Sequence, residues 1–407
     1  MSSISNRELF LNHVAQTSAA PIGLEIVKAS GCSMWDAGGK QYIDLISGFS
    51  VANIGHGNQQ VINAITKQAN AYMHLMVYGE IIQSPQVAYA KMLTDHLPPT
   101  LDCVYFTNSG TEATEGALKL AKRYTGRSQM IAFKNSYHGS THGALSVMGD
   151  EYWRNAYRPL LPDVLHLDFN DDQSLDFISH KTACVITEPI QAEAGVNIPS
   201  KNWMKALRQK CDETGTLLIL DEIQTGFGRT GSLWAYEQFD IVPDILLLGK
   251  ALGGGMPLGA FIAGKNTMQT LSHNPVLGHI STFAGHPVCC AAGMAAFEVL
   301  LDFRNDNSLS NGVAIDTVLQ KEKLFRSLLV HPKIKTIRSR GLLMAVEFEN
   351  FEQNHTIIKR CIDNGLITDW FLFGSQYMRV APPLIISEGE IRKCCALILQ
   401  SIDEATP

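Results

Sequence analysis

From about Asp102 the chain alternates short apolar runs with longer stretches that carry apolar residues at helical spacing. The runs fall at 103–106, 130–133, 164–167, 183–187, 216–220, 245–248 and 260–263. Such alternation is what a mostly parallel sheet with covering helices produces, so the pattern predicts an α/β fold built on one large seven-stranded sheet.

Ahead of this region, the first twenty or so residues read as a polar arm. Gly38-Gly39, with alternating segments at 24–29 and 32–35 on one side and 41–45 on the other, reads as a hairpin turn. Helical spacing follows at 59–72 and 84–97, the second with Ser84 as cap and Pro85 as first helical residue. After a helix expected over 287–301, a second unit reads helix, strand 342–348, helix 354–364, strand 377–381, helix 387–402. The expected division is an arm and hairpin over 1–50 that joins the small domain, a large domain over 51–305, and a small α/β domain over 306–407. No internal repeat or low-complexity linker separates these parts, which points to close packing.

Composition removes some functions. A net charge of −6 without a clustered basic face argues against non-specific nucleic-acid binding. The nine cysteines include no CxxC pair, and the adjacent pairs Cys289-Cys290 and Cys394-Cys395 suit neither a disulfide ladder nor a zinc site. They read as small buried apolar residues of a reducing compartment, and no metal is expected. The longest apolar stretch, 288–297, falls short of the ~18 residues that suggest a membrane span. The start lacks the basic-then-apolar order of a signal peptide, so a cytoplasmic location is the expectation.

In a parallel α/β sheet ligands bind beyond the carboxyl ends of the strands, so the residues that follow each run carry the candidate chemistry. Lys250 follows the run 245–248 and precedes Gly253-Gly254-Gly255. It can be a strand cap that snorkels its ammonium to water, or a lysine held for Schiff-base chemistry. Asp221 stands at the tip of the run 216–220, where a carboxylate needs a partner. Opposite charges ~4 Å apart at an effective dielectric of ~20 gain about 4 kcal/mol, against ~1 for a neutral hydrogen bond, so a cation is preferred. A structural ion pair or a protonated pyridine nitrogen would each serve. Ser109-Gly110-Thr111 opens a helical pattern and can cup a phosphate or simply cap the helix. Tyr137, in Tyr137-His138-Gly139, can stack on a flat ring or pack beneath a loop. Gly226-Phe227-Gly228-Arg229-Thr230-Gly231 formally matches a dinucleotide fingerprint, which would make the chain a nicotinamide-dependent oxidoreductase. It lies past the strand end, and no helix pattern follows its last glycine. Jointly these residues describe a ligand with a phosphate, a flat ring, a basic ring nitrogen and a carbonyl, and pyridoxal phosphate has all four.

Asn108-Ser109-Gly110-Thr111-Glu112-Ala113, Tyr137-His138-Gly139, the segment from Glu188 to Gly195, the segment from Asp221 to Gly231, Gly249-Lys250 and Ser281-Thr282 together resemble the class III aminotransferases of pyridoxal-phosphate fold type I. The resemblance runs from about Leu24 to the C-terminus. It implies that Lys250 holds the cofactor and shuttles a proton, and that Asp221 keeps the ring nitrogen protonated. Gln224 would bind the ring's phenolic oxygen, Tyr137 would stack on the ring, and Ser109, Gly110 and Thr111 would cup the phosphate. His138, Gly139, Glu188 and Ser281 complete the implied cofactor contacts, and Thr282 would reach the phosphate of a neighbouring subunit in a homodimer. Arg379 matches a substrate-carboxylate clamp and Glu193 its gating partner, with Phe49, Tyr78 and Ser140 as further substrate contacts. Two positions depart from ornithine-type members, which carry a tyrosine where Phe49 stands and an arginine where Ser140 stands. The implied reaction moves an ω-amino group from an amino acid such as N-acetylornithine, ornithine or 4-aminobutyrate to 2-oxoglutarate or pyruvate. A glutamate-1-semialdehyde aminomutase on the same fold is the alternative that shares the Ser-Gly-Thr-Glu-Ala cup.

Overall fold

The computed structural model describes residues 5–305 and 315–405. The first four residues of the arm and the expected start of the C-terminal unit at 306–314 lie outside them. Three short strands, β1 (Ile26–Ser30), β2 (Ser33–Asp36) and β3 (Gln41–Asp44), form antiparallel pairs, with Gly38 and Gly39 in the β2–β3 turn. All seven apolar runs become strands of one sheet. These are β4 (Cys103–Thr107), β5 (Gln129–Phe133), β6 (Val164–Leu167), β7 (Thr182–Thr187), β8 (Leu217–Asp221), β9 (Ile245–Leu248) and β10 (Gly259–Ala263), in the order β4-β10-β9-β8-β7-β5-β6. β10 alone runs opposite to the other six strands, antiparallel to both β4 and β9.

Burial explains why these runs are continuous rather than alternating. Ile131, Val185, Leu218, Leu220, Leu246 and Leu248 point into one apolar cluster, while Met130, Cys184, Ile186, Ile219, Ile245 and Leu247 point into another. Both faces of the sheet are covered, so each strand needs apolar residues at every position. The helix Gly110–Thr125 covers one face with Ala113, Ala117, Leu118, Leu120 and Ala121, and left-handed Gly126 ends it.

The remaining strands, β11 (Ile337–Arg340), β12 (Leu343–Glu347), β13 (Leu366–Ile367), β14 (Trp370–Phe371) and β15 (Gly374–Val380), follow in the C-terminal region. β13 pairs in parallel with β3, which ties the N-terminal strands to the C-terminal region. β11, β12, β15 and β14 form a separate antiparallel sheet against the helices Ile315–Leu328 and Phe351–Asp363, on which the helix Glu388–Glu404 packs in turn. β11, β13 and β14 were not legible in the pattern, because two of them are two residues long and β11 alternates polar residues at an edge. The polar arm contains a helix, Asn6–His13, held by a Ser5/Glu8 capping box and burying no residue, so it leaves no apolar stripe to read. The helix 84–97 is shorter than expected: Gln83 caps it, Ser84 is its first residue, and it ends at Thr94. Among the described residues all nine cysteines are free, no group of side chains is arranged to hold a metal, and no helix is long and apolar enough to cross a membrane.

Gly116 lies where the Gly110–Thr125 helix crosses β10, and a Cβ there would overlap the buried Phe261 ring. Gly116→Ala gains about 1 kcal/mol of helix propensity but overpacks the contact at a cost of ~1–3 kcal/mol. Net destabilisation, read as a lower urea midpoint at unchanged slope, is the expected outcome; a raised midpoint would show that the helix can back away from the sheet.

Candidate active site

The strand register builds the site. Thr187 pairs with Leu220 and Asp221 with Leu247, so the residues just beyond β7, β8 and β9 stand side by side. Glu188 and Lys250 follow β7 and β9, and Asp221 is the last residue of β8 between them. The loop after β5 adds Tyr137, His138, Gly139 and Ser140, and the helix after β4 adds Gly110 and Thr111. With Ile223 and Gln224 they line one cavity of about 240 Å³.

Lys250 Nζ donates to Gln224 Oε1 at 2.8 Å. The lysine itself has a left-handed φ of 49° at the start of a short 3₁₀ turn, which directs it out of line with the strand. Burial lowers its pKa from the ordinary value, against the raising charges of Glu193 and Asp221. Asp221 is buried, accepts from Ile223 N at 3.0 Å through Oδ1, and meets His138 Nδ1 at 2.7 Å through Oδ2. The neighbouring Glu222 faces away from the cavity. It accepts from Ala235 N, Tyr236 N and Thr225 Oγ1, and burial raises its pKa to about 7. Strand alternation thus sends adjacent carboxylates to different tasks, one to the cavity and one to the turn behind it.

Glu188 accepts from Tyr137 N and Ala192 N, each at 3.1 Å. Burial, with the charge of Asp221 adding, holds its carboxyl well above the ordinary range. Thr111 Oγ1 lies 2.8 Å from Thr141 Oγ1, and Glu115 accepts from Thr141 Oγ1 and Gly143 N, which fixes the loop facing the helix start. Ser109 Oγ accepts from Glu112 N at 3.4 Å as the helix cap. Gly139 has φ +121°, and a Cβ there would overlap Thr111. The backbones meet only because this residue is glycine.

Arg379, on β15, is fully buried and forked onto Glu193, with Nη1 to Oε1 at 3.1 Å and Nη2 to Oε2 at 3.0 Å. Its Nε donates to Asp369 Oδ1 at 2.8 Å. The guanidinium lies over two aromatic rings, 4.1 Å from the centroid of Phe371 and 5.0 Å from that of Phe49. Asp369 and Phe371 were missed in the sequence. They reach Arg379 only through the β14–β15 pairing, and a two-residue strand carries no periodic signal. The partnership of His138 with Asp221 was also missed, because it joins loops 83 positions apart.

Ser281, Thr282 and Tyr78 are not brought to Lys250. Ser281 and Tyr78 line a different cavity, next to Val104, Tyr105 and Phe106, and Tyr78 Oη lies 3.5 Å from Thr282 Oγ1. The glycine segment from Gly226 to Gly231 lies among tight turns rather than at a strand-to-helix junction, so it is not a dinucleotide loop.

The family sequence description for class-III aminotransferases matches residues 14–402. The chain belongs to the class-III aminotransferases. This aminotransferase is 36% identical over 395 residues to an acetylornithine aminotransferase of Methanopyrus kandleri, covering 96% of each chain. It is 38% identical over 395 residues to ornithine aminotransferase 1 of Staphylococcus aureus strain Mu50, covering 95% of this chain and 96% of the other. A solved structure of the ornithine aminotransferase from Toxoplasma gondii superposes with a TM-score of 0.89 at 29% identity, covering 99% of this chain and 96% of that one, and is described with pyridoxal phosphate at partial occupancy of its active site.

The aminotransferase uses pyridoxal phosphate, and the residues present fit it. His138 Nε2 and Gln224 Nε2 are buried without a hydrogen-bond partner among the described residues. Both residues line the cavity that holds Lys250 and Asp221 and that the helix start at Gly110 also lines.

Burial alone would raise the Glu193 carboxyl, but the charge and hydrogen bonds of Arg379, with the charge of Lys250 adding, hold it below its ordinary 4.5. A depressed folded-state pKa gives stability that is present above 4.5 and is lost as pH falls through the folded value. Glu193→Gln leaves Arg379 with Asp369 as its one carboxylate partner and is expected to cost about 2 to 4 kcal/mol near neutrality. Urea midpoints of the two proteins should converge below 4.5, where wild-type Glu193 also becomes neutral; a constant gap down to about pH 3 would refute the ion-pair account.

Proposed function

We infer that Lys250, Asp221 and Gln224 are the working groups of the aminotransferase, and that the donor is an amino acid with a distal amine of the N-acetylornithine, ornithine or 4-aminobutyrate type. The observation that carries this reading is the meeting of all three side chains in one cavity beside a forked Arg379–Glu193 pair. The bound cofactor supplies a carbonyl to receive the amino group and a protonated ring to draw electrons from the reacting carbon. Everything else falls to the chain. Asp221 would hold the ring-nitrogen proton, and His138 keeps its carboxylate in place. Gln224 would offer its free amide N–H to the phenolic oxygen. The helix start at Ser109, Gly110 and Thr111 would receive the phosphate on backbone N–H groups, with Tyr137, Gly139 and Glu188 shaping the walls. Lys250, whose amine is pushed toward neutrality by burial, would take and return the proton at the substrate carbon.

Arg379 would receive a substrate carboxylate once Glu193 withdraws, and Glu193 would cover it when the substrate presents an amine instead. Phe49 puts an apolar ring over that clamp, which favours a donor with a less polar end than free ornithine. Ser140 supplies no cation for a second carboxylate, and its Oγ lies 3.2 Å from Tyr137 Oη, so pyruvate is the better matched acceptor. A homodimer is part of the same reading. Met73, Met76 and Ile82, together with Val276, Ile280 and Phe283, are exposed apolar residues near the Tyr78–Thr282 contact. Seated on a second copy, Ser281 and Thr282 would face the partner's phosphate site.

Lys250→Ala is expected to abolish turnover and the visible absorbance of the lysine-bound cofactor; full turnover would sink the assignment of Lys250. Ser140→Arg is expected to raise kcat/KM for 2-oxoglutarate relative to pyruvate by about tenfold or more, as a paired charge would. An unchanged ratio removes Ser140 as the acceptor determinant.

A further inference from the structure

Ser47, Gly48, Phe49 and Ser50 have φ values of 49°, 60°, 60° and 68°, so four consecutive residues form one left-handed turn. Three of them carry a Cβ, and L-residues visit this region singly rather than in runs. Such a conformation persists only where the surroundings over-determine it.

The surroundings do so through two buried groups. Asp44 Oδ1 accepts from Ile46 N and Ser47 N, both at 2.8 Å. Ser47 Oγ donates to Ala381 O at 2.8 Å and accepts from Arg229 Nη2 at 3.0 Å. Arg229 is the arginine of the glycine segment that imitates a dinucleotide loop, and it is fully buried. Its other bonds go to Asn53 Oδ1 at 2.5 Å, Leu342 O at 2.9 Å and Pro382 O at 2.6 Å, all neutral acceptors. Burial lowers its pKa to about 9, a mark of how little charge compensation surrounds it. A cation kept in such a place, bonded to three separate segments, joins the turn to β15's end rather than serving an ion pair.

The turn carries Phe49, whose ring lies 5.0 Å from the Arg379 guanidinium, and Ala381 lies two residues beyond Arg379. The ring and the guanidinium it covers are therefore set by the same Ser47–Arg229–Ala381 junction. We propose that Ser47 and Arg229 are positioning residues: the left-handed turn they lock fixes Phe49 over Arg379 and so sets the carboxylate subsite. This rests on the reading of Arg379 as the carboxylate clamp.

The test uses wild-type, Ser47→Ala and Arg229→Lys holoenzymes, each checked for the visible cofactor band and for Tm. Calorimetric binding of pentanoate, a carboxylate without an amine, is expected to weaken by about tenfold or more in both variants, since small misplacements of a clamp are costly. The apparent Kd for pentylamine, an amine without a carboxylate, read from the visible band, should stay within about twofold because that interaction bypasses Arg379. Unchanged pentanoate binding, or equal weakening of both ligands, overturns the proposal. Arg379→Gln separates the two readings. If it abolishes pentanoate binding while Ser47→Ala does not weaken it, the clamp stands and the turn has no positioning role. If Arg379→Gln binds pentanoate normally, both fall. Should Arg229→Lys fail to fold, Ser47→Ala alone decides.

Discussion

Buried charge has to be compensated, and in this chain that requirement organises the site. Arg379 is surrounded by Glu193 and Asp369, while Lys250 lies within reach of the charges of Glu193 and Asp221. Moving an isolated ion from water to a dry interior costs several kcal/mol even after relaxation, so none of these groups can be left alone. Arg379 is matched fully: its fork goes to Glu193 and its Nε to Asp369. Asp221 is matched less completely, by His138 and one backbone N–H, and a cationic ring nitrogen would complete it. Glu188 reaches the same end by a different route, because burial and the adjacent Asp221 keep its carboxyl protonated to higher pH.

The fold makes this crowding unavoidable. Parallel strands put all their carboxyl ends on one edge, and the pairing of Thr187 with Leu220 brings Glu188 level with Asp221. Burial there, with the charge of Asp221 adding, raises the Glu188 carboxyl. Asp221 turns its carboxyl to the cavity, and Glu188 is a fixed acceptor for the loop N–H groups of Tyr137 and Ala192. The sheet's apolar faces, which supply stability, and its polar edge, which supplies chemistry, come from the same seven runs.

Much of this was legible in the sequence because strand-end residues inherit their position from the strand. The seven apolar runs mark the sheet, and Asp221, Tyr137, Gly110 and Lys250 each follow one of them. What the pattern could not show are contacts made across tertiary distance. Asp369 meets Arg379 through strands too short for periodicity, His138 meets Asp221 across 83 positions, and Arg229 looks like part of a nucleotide loop until its four acceptors are seen. Tyr78, Ser281 and Thr282 show the opposite limit. Within the chain they stand apart from Lys250, a separation that nothing in their local sequence pattern marks.

If Arg379 receives a substrate carboxylate and Glu193 covers it when an amine is presented, as proposed, no buried charge can be stranded in either state. The Arg379 pairing would meet that condition, because its hydrogen bonds are divided between two carboxylates. Asp369 holds Nε and Trp370 O lies 3.4 Å from Nη2, so the guanidinium keeps anchors when its fork is vacated. Glu193 holds only the fork edge, and a substrate carboxylate in its place would be a one-for-one exchange of charge and geometry. The rings of Phe49 and Phe371 lie against the guanidinium at 5.0 and 4.1 Å without using its N–H groups, which leaves its fork free for a planar anion. A single arginine–glutamate pair would lose its compensation if the glutamate left; with Asp369 as a second carboxylate, Arg379 would not.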